Sequence, residues 1–182
     1  MHQLVRSAPN FLSTIRLLLA CIFPFCREQE WIWIIIAAGA SDFLDGWIAR
    51  KWDLSSWQGG LLDAIADKLF VLSVLVTFAL SGKFSAWWIP GIIARDITVT
   101  VIALYALSCK LWGAFKEMEA SYSGKLATAG QFLLFLTIML LPGFTHYLLI
   151  ITVLFSVIAA FDYGIQFAMA LRKKASSATG NH

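Results

Sequence analysis

Six apolar runs, residues 10–26, 31–49, 60–81, 86–109, 124–142 and 145–171, occupy most of the 182-residue chain. Each approaches or exceeds the roughly 20 apolar residues that a helix needs to cross the hydrocarbon of a bilayer. The pattern therefore predicts an all-α integral membrane protein of six transmembrane helices, folded as one domain over residues 1–182. The breaks have local causes. Charge ends the first run at Arg27-Glu28-Gln29-Glu30 and the second at Arg50-Lys51-Trp52-Asp53. Turn chemistry ends the third at Ser81-Gly82-Lys83 and the fifth at Pro142-Gly143. Trp31 and Trp33, like Trp87 and Trp88, stand at span ends, where amphipathic rings favour the headgroup level.

Composition agrees with this reading. Hydrophobic residues make up 59% of the chain and charged ones 14%, with a mean hydropathy of +0.75. Soluble domains hold about 25% charged residues, so a soluble globule, a disordered chain and a coiled coil are all disfavoured. The net charge of +3 is too small to argue for nucleic acid, and no aromatic-interleaved basic stripe accompanies it. The placement of the charge says more. Arg6, Arg50, Lys51, Lys110, Lys116, Arg172, Lys173 and Lys174 fall on one side of the predicted bilayer, against Arg27 and Lys83 on the other. Positive connections stay inside, so both termini are expected in the cytoplasm. The first span has no small-residue cleavage site after Phe23-Pro24-Phe25 and is expected to be retained. Cys21, Cys26 and Cys109 form no CxxC pair and read as packing residues.

Charges inside the spans are the candidate chemistry, because an ionisable group at a helix centre costs at least about 2.5–3.5 kcal/mol on insertion scales. Arg16, Asp42, Asp45, Asp63, Asp67, Lys68, Arg95 and Asp96 all fall inside or at the edges of the runs. Any one of them reads equally well as a residue of a wet loop or half of an ion pair. The aspartates are harder to dismiss as a set. Asp42 and Asp45 are three apart and Asp63 and Asp67 four apart, so each pair shares a helical face, and a short cytoplasmic link joins the two helices. Four converging carboxylates repel one another unless a cation is present. With no His or Cys alongside, a hard divalent ion, Mg2+ or Mn2+, is the natural counter-charge. Two such ions about 3.5–4 Å apart would suit a phosphoryl displacement. Gly46 and Gly59 remove side chains beside the carboxylates, which also suits close helix packing. Asp162 in the sixth run has no assigned role; pairing with Arg95 and bridging subunits are both open to it.

The string from Asp42 to Asp67, DFLDGWIARKWDLSSWQGGLLDAIAD, resembles the signature of the CDP-alcohol phosphatidyltransferases. Asp42, Asp45, Gly46, Ala49, Arg50, Gly59, Asp63 and Asp67 fill its fixed positions, a chance match on the order of one in 10^10 per starting point. Pro9-Asn10-Phe11-Leu12-Ser13-Thr14-Ile15-Arg16 is similar to the family's opening segment. The resemblance implies that an alcohol hydroxyl attacks the β-phosphorus of CDP-diacylglycerol, releasing CMP, with two divalent cations held by Asp42, Asp45, Asp63 and Asp67. It makes Asp67 the general base as well. It assigns Asn10, Arg16, Asp45, Gly46, Ala49, Arg50 and Gly59 to the CDP-lipid, Arg50 neutralising diphosphate charge. A phosphorylated acceptor needs further cations, for which Arg95 and Lys125 are the candidates, although Arg95 with Asp96 also reads as a buried ion pair.

Ser123-Gly124-Lys125, followed by Thr128 and Gln131, is similar to the segment before the fifth helix of the family's glycerophosphate and cardiolipin synthases, which implies a glycerol-type acceptor. Two departures bear on which one. Asp96 stands where many phosphatidylglycerophosphate synthases have Glu, and Ala103 where they often have a further Arg. Glycerol 3-phosphate is the first expectation and phosphatidylglycerol the second. The resemblance also implies a homodimer and a bacterial inner-membrane location, with the active site near the cytoplasmic face. A transporter is the competing class, but the acids cluster on one helix pair and no internal repeat is visible.

Overall fold

The computed structural model describes residues 13–52, 57–109 and 122–179, with side chains described for 13–41, 62–109 and 122–173. Among the described residues the chain is helical throughout and has no strand. The helices are α1 (Ser13–Phe25), α2 (Glu28–Trp52), α3 (Trp57–Leu80), α4 (Ile89–Ile92), α5 (Ala94–Ser108), α6 (Tyr122–Leu140) and α7 (Thr145–Thr179). Short 3-10 turns end α1 at Phe23–Phe25 and precede α4 at Ala86–Trp88 and α7 at Pro142–Phe144. Each predicted run corresponds to a helix or, in the fourth case, to two.

Among the described residues two helices are long and apolar enough to cross a membrane, Tyr122–Leu140 and Pro142–Lys173, with mean hydropathies of 1.3 and 2.2. The bent pair Ala86–Ile92 and Ala94–Ser108 makes a third if it counts as one span. Large apolar side chains face outward along these helices, among them Val101, Leu104, Leu133, Leu154, Ile158 and Phe161. Such continuous apolar exposure marks a surface that water does not cover.

The chain divides into two compact units, Met1–Ala86 and Trp87–His182. In the first, α1 runs parallel to α3 and the start of α2 meets the end of α3. Phe23 is the hub, with ring centroids 5.7 Å from Trp31, 6.1 Å from Phe70 and 6.1 Å from Phe78. Ser73 Oγ donates to the Ala20 carbonyl at 2.6 Å, so α1 and α3 share a hydrogen bond as well as rings. Trp31 is 5% exposed and its Nε1 donates to the Cys26 carbonyl at 3.1 Å. It is therefore a core residue rather than a headgroup anchor, since the turn after α1 folds the ring back onto Phe23 and Phe78. Trp33, 70% exposed, keeps the outward position expected of both.

Glu28 and Glu30 lie in the first turn of α2, where the helix dipole favours acids, so the helix begins inside the charged break instead of after it. Glu28 is ion-paired with Lys83 beyond the end of α3. Gly82, at φ +71°, closes α3: its N–H reaches the Ala79 carbonyl at 3.0 Å and the Lys83 N–H reaches Phe78 at 2.9 Å. That backbone conformation explains the glycine.

The second unit holds α4 to α7. The expected continuous fourth span is broken, with 53° between its two parts. The kink lies at Ile93, where side chains enter the backbone ladder from α6 and α7. Ile92 is fully buried and its carbonyl accepts from Ser156 Oγ at 2.8 Å and from Gln131 Nε2 at 3.0 Å. On the other side of the break the Arg95 N–H donates to Ser156 Oγ at 3.2 Å. One hydroxyl thus joins the carbonyl before the bend to the amide after it. Non-helical backbone at membrane depth is tolerated only when its polar groups are satisfied in this way.

Candidate functional site

Two groups of predicted site residues are visible, one in each unit. In the first unit Asp63 sits in the second turn of α3 and accepts from Arg16 Nη1 at 2.8 Å and from Ser13 Oγ at 3.2 Å. Ser13 and Arg16, three apart, present one face of α1. The Arg16 side chain is 1% exposed and that of Asp63 41%, so a buried guanidinium meets a carboxylate that still reaches solvent. Burying a charge without a partner costs several kcal/mol, and Asp63 provides the compensating charge. Both bonds fall on Oδ1, and Oδ2 has no partner among the described residues. Asp67 follows one helical turn later, half-buried beside Lys68.

The chemistry of this pair suits a hard cation: oxygen donors only, one turn apart, with one carboxylate oxygen open. Among the described residues no three His, Cys, Asp or Glu side chains come together. Asp42 and Asp45 lie in α2, and with Gly46, Ala49, Arg50 and Gly59 their side chains fall outside the described residues, while Asn10 lies outside them altogether.

In the second unit Arg95, in the first turn of α5, is enclosed. Its Nε and Nη2 donate to Asp96 Oδ1 at 3.2 and 2.5 Å, and its Nη1 donates to the Gly124 carbonyl at 2.8 Å and to Thr128 Oγ1 at 2.5 Å. Asp96 Oδ2 accepts from Gln131 Nε2 at 3.1 Å. The arginine is thus ion-paired with its neighbour, and its side chain is 16% exposed. Lys125, the other predicted acceptor residue, is exposed, with its Nζ 5.3 Å from the centre of the Tyr122 ring.

Asp162 does not take up Arg95. It accepts from Ser123 Oγ at 2.7 Å, which ties the start of α6 to α7. Gly124 lies so close to Tyr163 that a Cβ there would stand 2.5 Å from its hydroxyl oxygen. The segment from Ser123 to Gln131 is therefore a polar seam: Ser123 and Gly124 rest on α7, while Gly124, Thr128 and Gln131 grip Arg95 and Asp96. Sequence reasoning missed Ser156 and the bond from Ser123 to Asp162. The available signal was the spacing of Thr152 and Ser156, two buried hydroxyls one turn apart in an otherwise apolar run.

Helical throughout its described residues and with apolar helices of membrane-spanning length, the chain has the make-up of a membrane protein. Residues 6–158 match the CDP-alcohol phosphatidyltransferase family. The chain belongs to that family and is a phosphatidyltransferase. A Mycobacterium tuberculosis protein named "Putative cardiolipin synthase" is 33% identical over 186 aligned positions, 93% of this chain and 86% of that protein. A Sodalis glossinidius protein named CDP-diacylglycerol–glycerol-3-phosphate 3-phosphatidyltransferase is 28% identical over 145 positions, 74% of this chain and 77% of its own. A Yersinia enterocolitica protein of the same name is 28% identical over 134 positions, 68% of this chain and 71% of its own.

Proposed function

We propose that this chain transfers the phosphatidyl group of CDP-diacylglycerol to the hydroxyl of a glycerol-type acceptor and releases CMP. The observation that carries the reading is the face of α3 on which Asp63 and Asp67 stand one turn apart, Asp63 held by Arg16 with Oδ2 still open. Asp42, Asp45, Asp63 and Asp67 would hold two divalent cations, Mg2+ or Mn2+. When bound, these would neutralise the diphosphate and acidify the acceptor hydroxyl. Asp67 takes the hydroxyl proton, the freed oxygen forms its bond to the β-phosphorus, and the bond from that phosphorus to the CMP oxygen breaks. Asn10, Arg16, Asp45, Gly46, Ala49, Arg50 and Gly59 line the CDP-lipid, and Arg16 also fixes the Asp63 carboxylate. Arg95 and Lys125 meet the acceptor's phosphate.

The proposal includes six spans with cytoplasmic termini in a bacterial inner membrane, a single domain over residues 1–182 with its active site near the cytoplasmic face, and a homodimer. The charge asymmetry of the connections, the family match across both compact units and the family resemblance support it.

Glycerol 3-phosphate is the first acceptor. A specific observation favours phosphatidylglycerol as the second: Asp96 already neutralises Arg95, and a phosphodiester, with one charge, asks less of the site than a phosphomonoester does. Purified protein in detergent micelles with CDP-diacylglycerol and Mg2+ tests both readings through CMP release with glycerol 3-phosphate, phosphatidylglycerol and myo-inositol. Release with the first makes a phosphatidylglycerophosphate synthase, and release only with the second makes a cardiolipin synthase. Release only with myo-inositol, or with none of the three, refutes the glycerol-type reading.

A further inference from the structure

We infer that Gln131 is a positioning residue for acceptor recognition: through Asp96 it fixes the plane of the Arg95 guanidinium and so aims that group at the acceptor's phosphate. The inference rests on the reading that Arg95 meets this phosphate.

Gln131 is 2% exposed and its amide nitrogen has two protons. One goes to the Ile92 carbonyl at 3.0 Å and the other to Asp96 Oδ2 at 3.1 Å. The first bond anchors the side chain to backbone at the break between α4 and α5. The second turns the Asp96 carboxylate so that Oδ1 faces Arg95 Nε and Nη2. From the opposite edge, Gly124 and Thr128 take both Nη1 protons. Positions 124, 128 and 131 are spaced four and three apart on α6, so one helix face holds the guanidinium directly at one edge and through Asp96 at the other.

A guanidinium has five N–H donors in a rigid plane. Four are committed here, and the fifth, on Nη2, has no partner among the described residues. The four bonds fix the direction of the fifth. Without Gln131, Asp96 loses the bond on Oδ2 that helps set the plane of its carboxylate, and the aim of Nε and Nη2 is less sharply defined while the charge remains.

The test is steady-state CMP release by the full-length protein in detergent, with the acceptor KM and the CDP-diacylglycerol KM measured separately. Gln131→Met keeps length and removes both donors. Thr152→Val is the control, because Thr152 is fully buried in the same α6–α7 interface, donates to the Gly130 carbonyl at 3.3 Å and does not touch Arg95. The expected result is a rise of about tenfold or more in acceptor KM for Gln131→Met, with the CDP-diacylglycerol KM within about twofold of the parent. Thr152→Val should lower the melting temperature and leave both KM values unchanged. Equal changes in the two KM values, or an effect on stability alone, would overturn the inference and leave Gln131 a packing residue. Should Gln131→Met fail to fold, Gln131→Leu is read in the same way, and failure of both to fold also assigns Gln131 to structure. Arg95→Ala separates the layers. If it raises acceptor KM and Gln131→Met does not, the inference fails while the acceptor reading stands; if neither does, the reading of Arg95 has failed as well.

Discussion

Replacing Asp63 with asparagine separates its two roles, as partner of a buried arginine and as ligand in the chemistry. Asparagine keeps an oxygen that can accept from Arg16 Nη1 and Ser13 Oγ, so the two bonds of 2.8 and 3.2 Å survive in neutral form. A hydrogen bond to a charged group contributes about 1.5–3 kcal/mol and a neutral one about 0.5–1.5. Breaking a fully buried ion pair costs about 3–5 kcal/mol, but Asp63 is 41% exposed and solvent screens much of that. The expected destabilisation of Asp63→Asn is therefore about 1–2 kcal/mol, against the roughly 5–15 kcal/mol that holds a typical domain folded. The variant should fold, and CMP release should fall by at least about a hundredfold, the equivalent of about 2.7 kcal/mol of transition-state stabilisation. Thermal unfolding in detergent gives the first number and CMP release the second. A double-mutant cycle sharpens the test: in an Arg16→Gln background the stability cost of Asp63→Asn should fall close to zero, because no buried charge is left behind. Additive stability effects would refute the pairing argument, and parental turnover in Asp63→Asn would refute the catalytic one.

Chelation of divalent ions should abolish CMP release and added Mg2+ or Mn2+ should restore it, while Asp67→Asn should be inactive under both conditions with an unchanged elution profile on gel filtration. Arg95→Ala should raise the acceptor KM more than that of CDP-diacylglycerol; equal effects would assign Arg95 to structure. Gly124→Ala places a methyl 2.5 Å from the Tyr163 hydroxyl oxygen and should cost about 1–3 kcal/mol in thermal stability. Tyr163→Phe in the same chain should recover part of that loss.

The helical character and the order of the described segments were legible because long apolar runs and their charged or Gly/Pro breaks are local signals. The acidic face of α3 was legible for the same reason: Asp63 and Asp67 are four apart, and helical geometry alone puts them together. What sequence could not show depends on residues far apart in the chain. Arg16 and Asp63 are 47 positions apart, and nothing local joins them. The bend at Ile93 falls within an unbroken apolar run whose Pro90 and Gly91 do not fix where it lies. Ser156 sets its position from 64 residues beyond Ile92. Trp31 resembled an interfacial anchor because its burial depends on a turn that brings Phe23 beneath it. Asp162 lacked a role because one of its partners, Ser123, is on another helix.

The position of Arg95 argues that its charge serves more than the stability of α5. It lies in the first turn of that helix, where the aligned peptide dipoles favour an acid and disfavour a cation. Asp96, in the same turn, is the residue the dipole welcomes. An apolar side chain at 95 would need neither the carboxylate nor the bonds from Gly124 and Thr128, and replacing a buried ion pair with well-packed apolar residues is often neutral or stabilising. Instead the chain keeps a cation against the dipole, holds four of its five donors with bonds from α5 and α6, and supports Asp96 with a buried glutamine. Under the proposed acceptor reading this arrangement fixes the direction of the cation, which recognition of an anionic substrate requires and a packing role does not. If the charge were only structural, replacing Arg95 and Asp96 together with apolar residues of similar volume would preserve both folding and the acceptor KM. The recognition reading requires that this double variant fold and lose the acceptor.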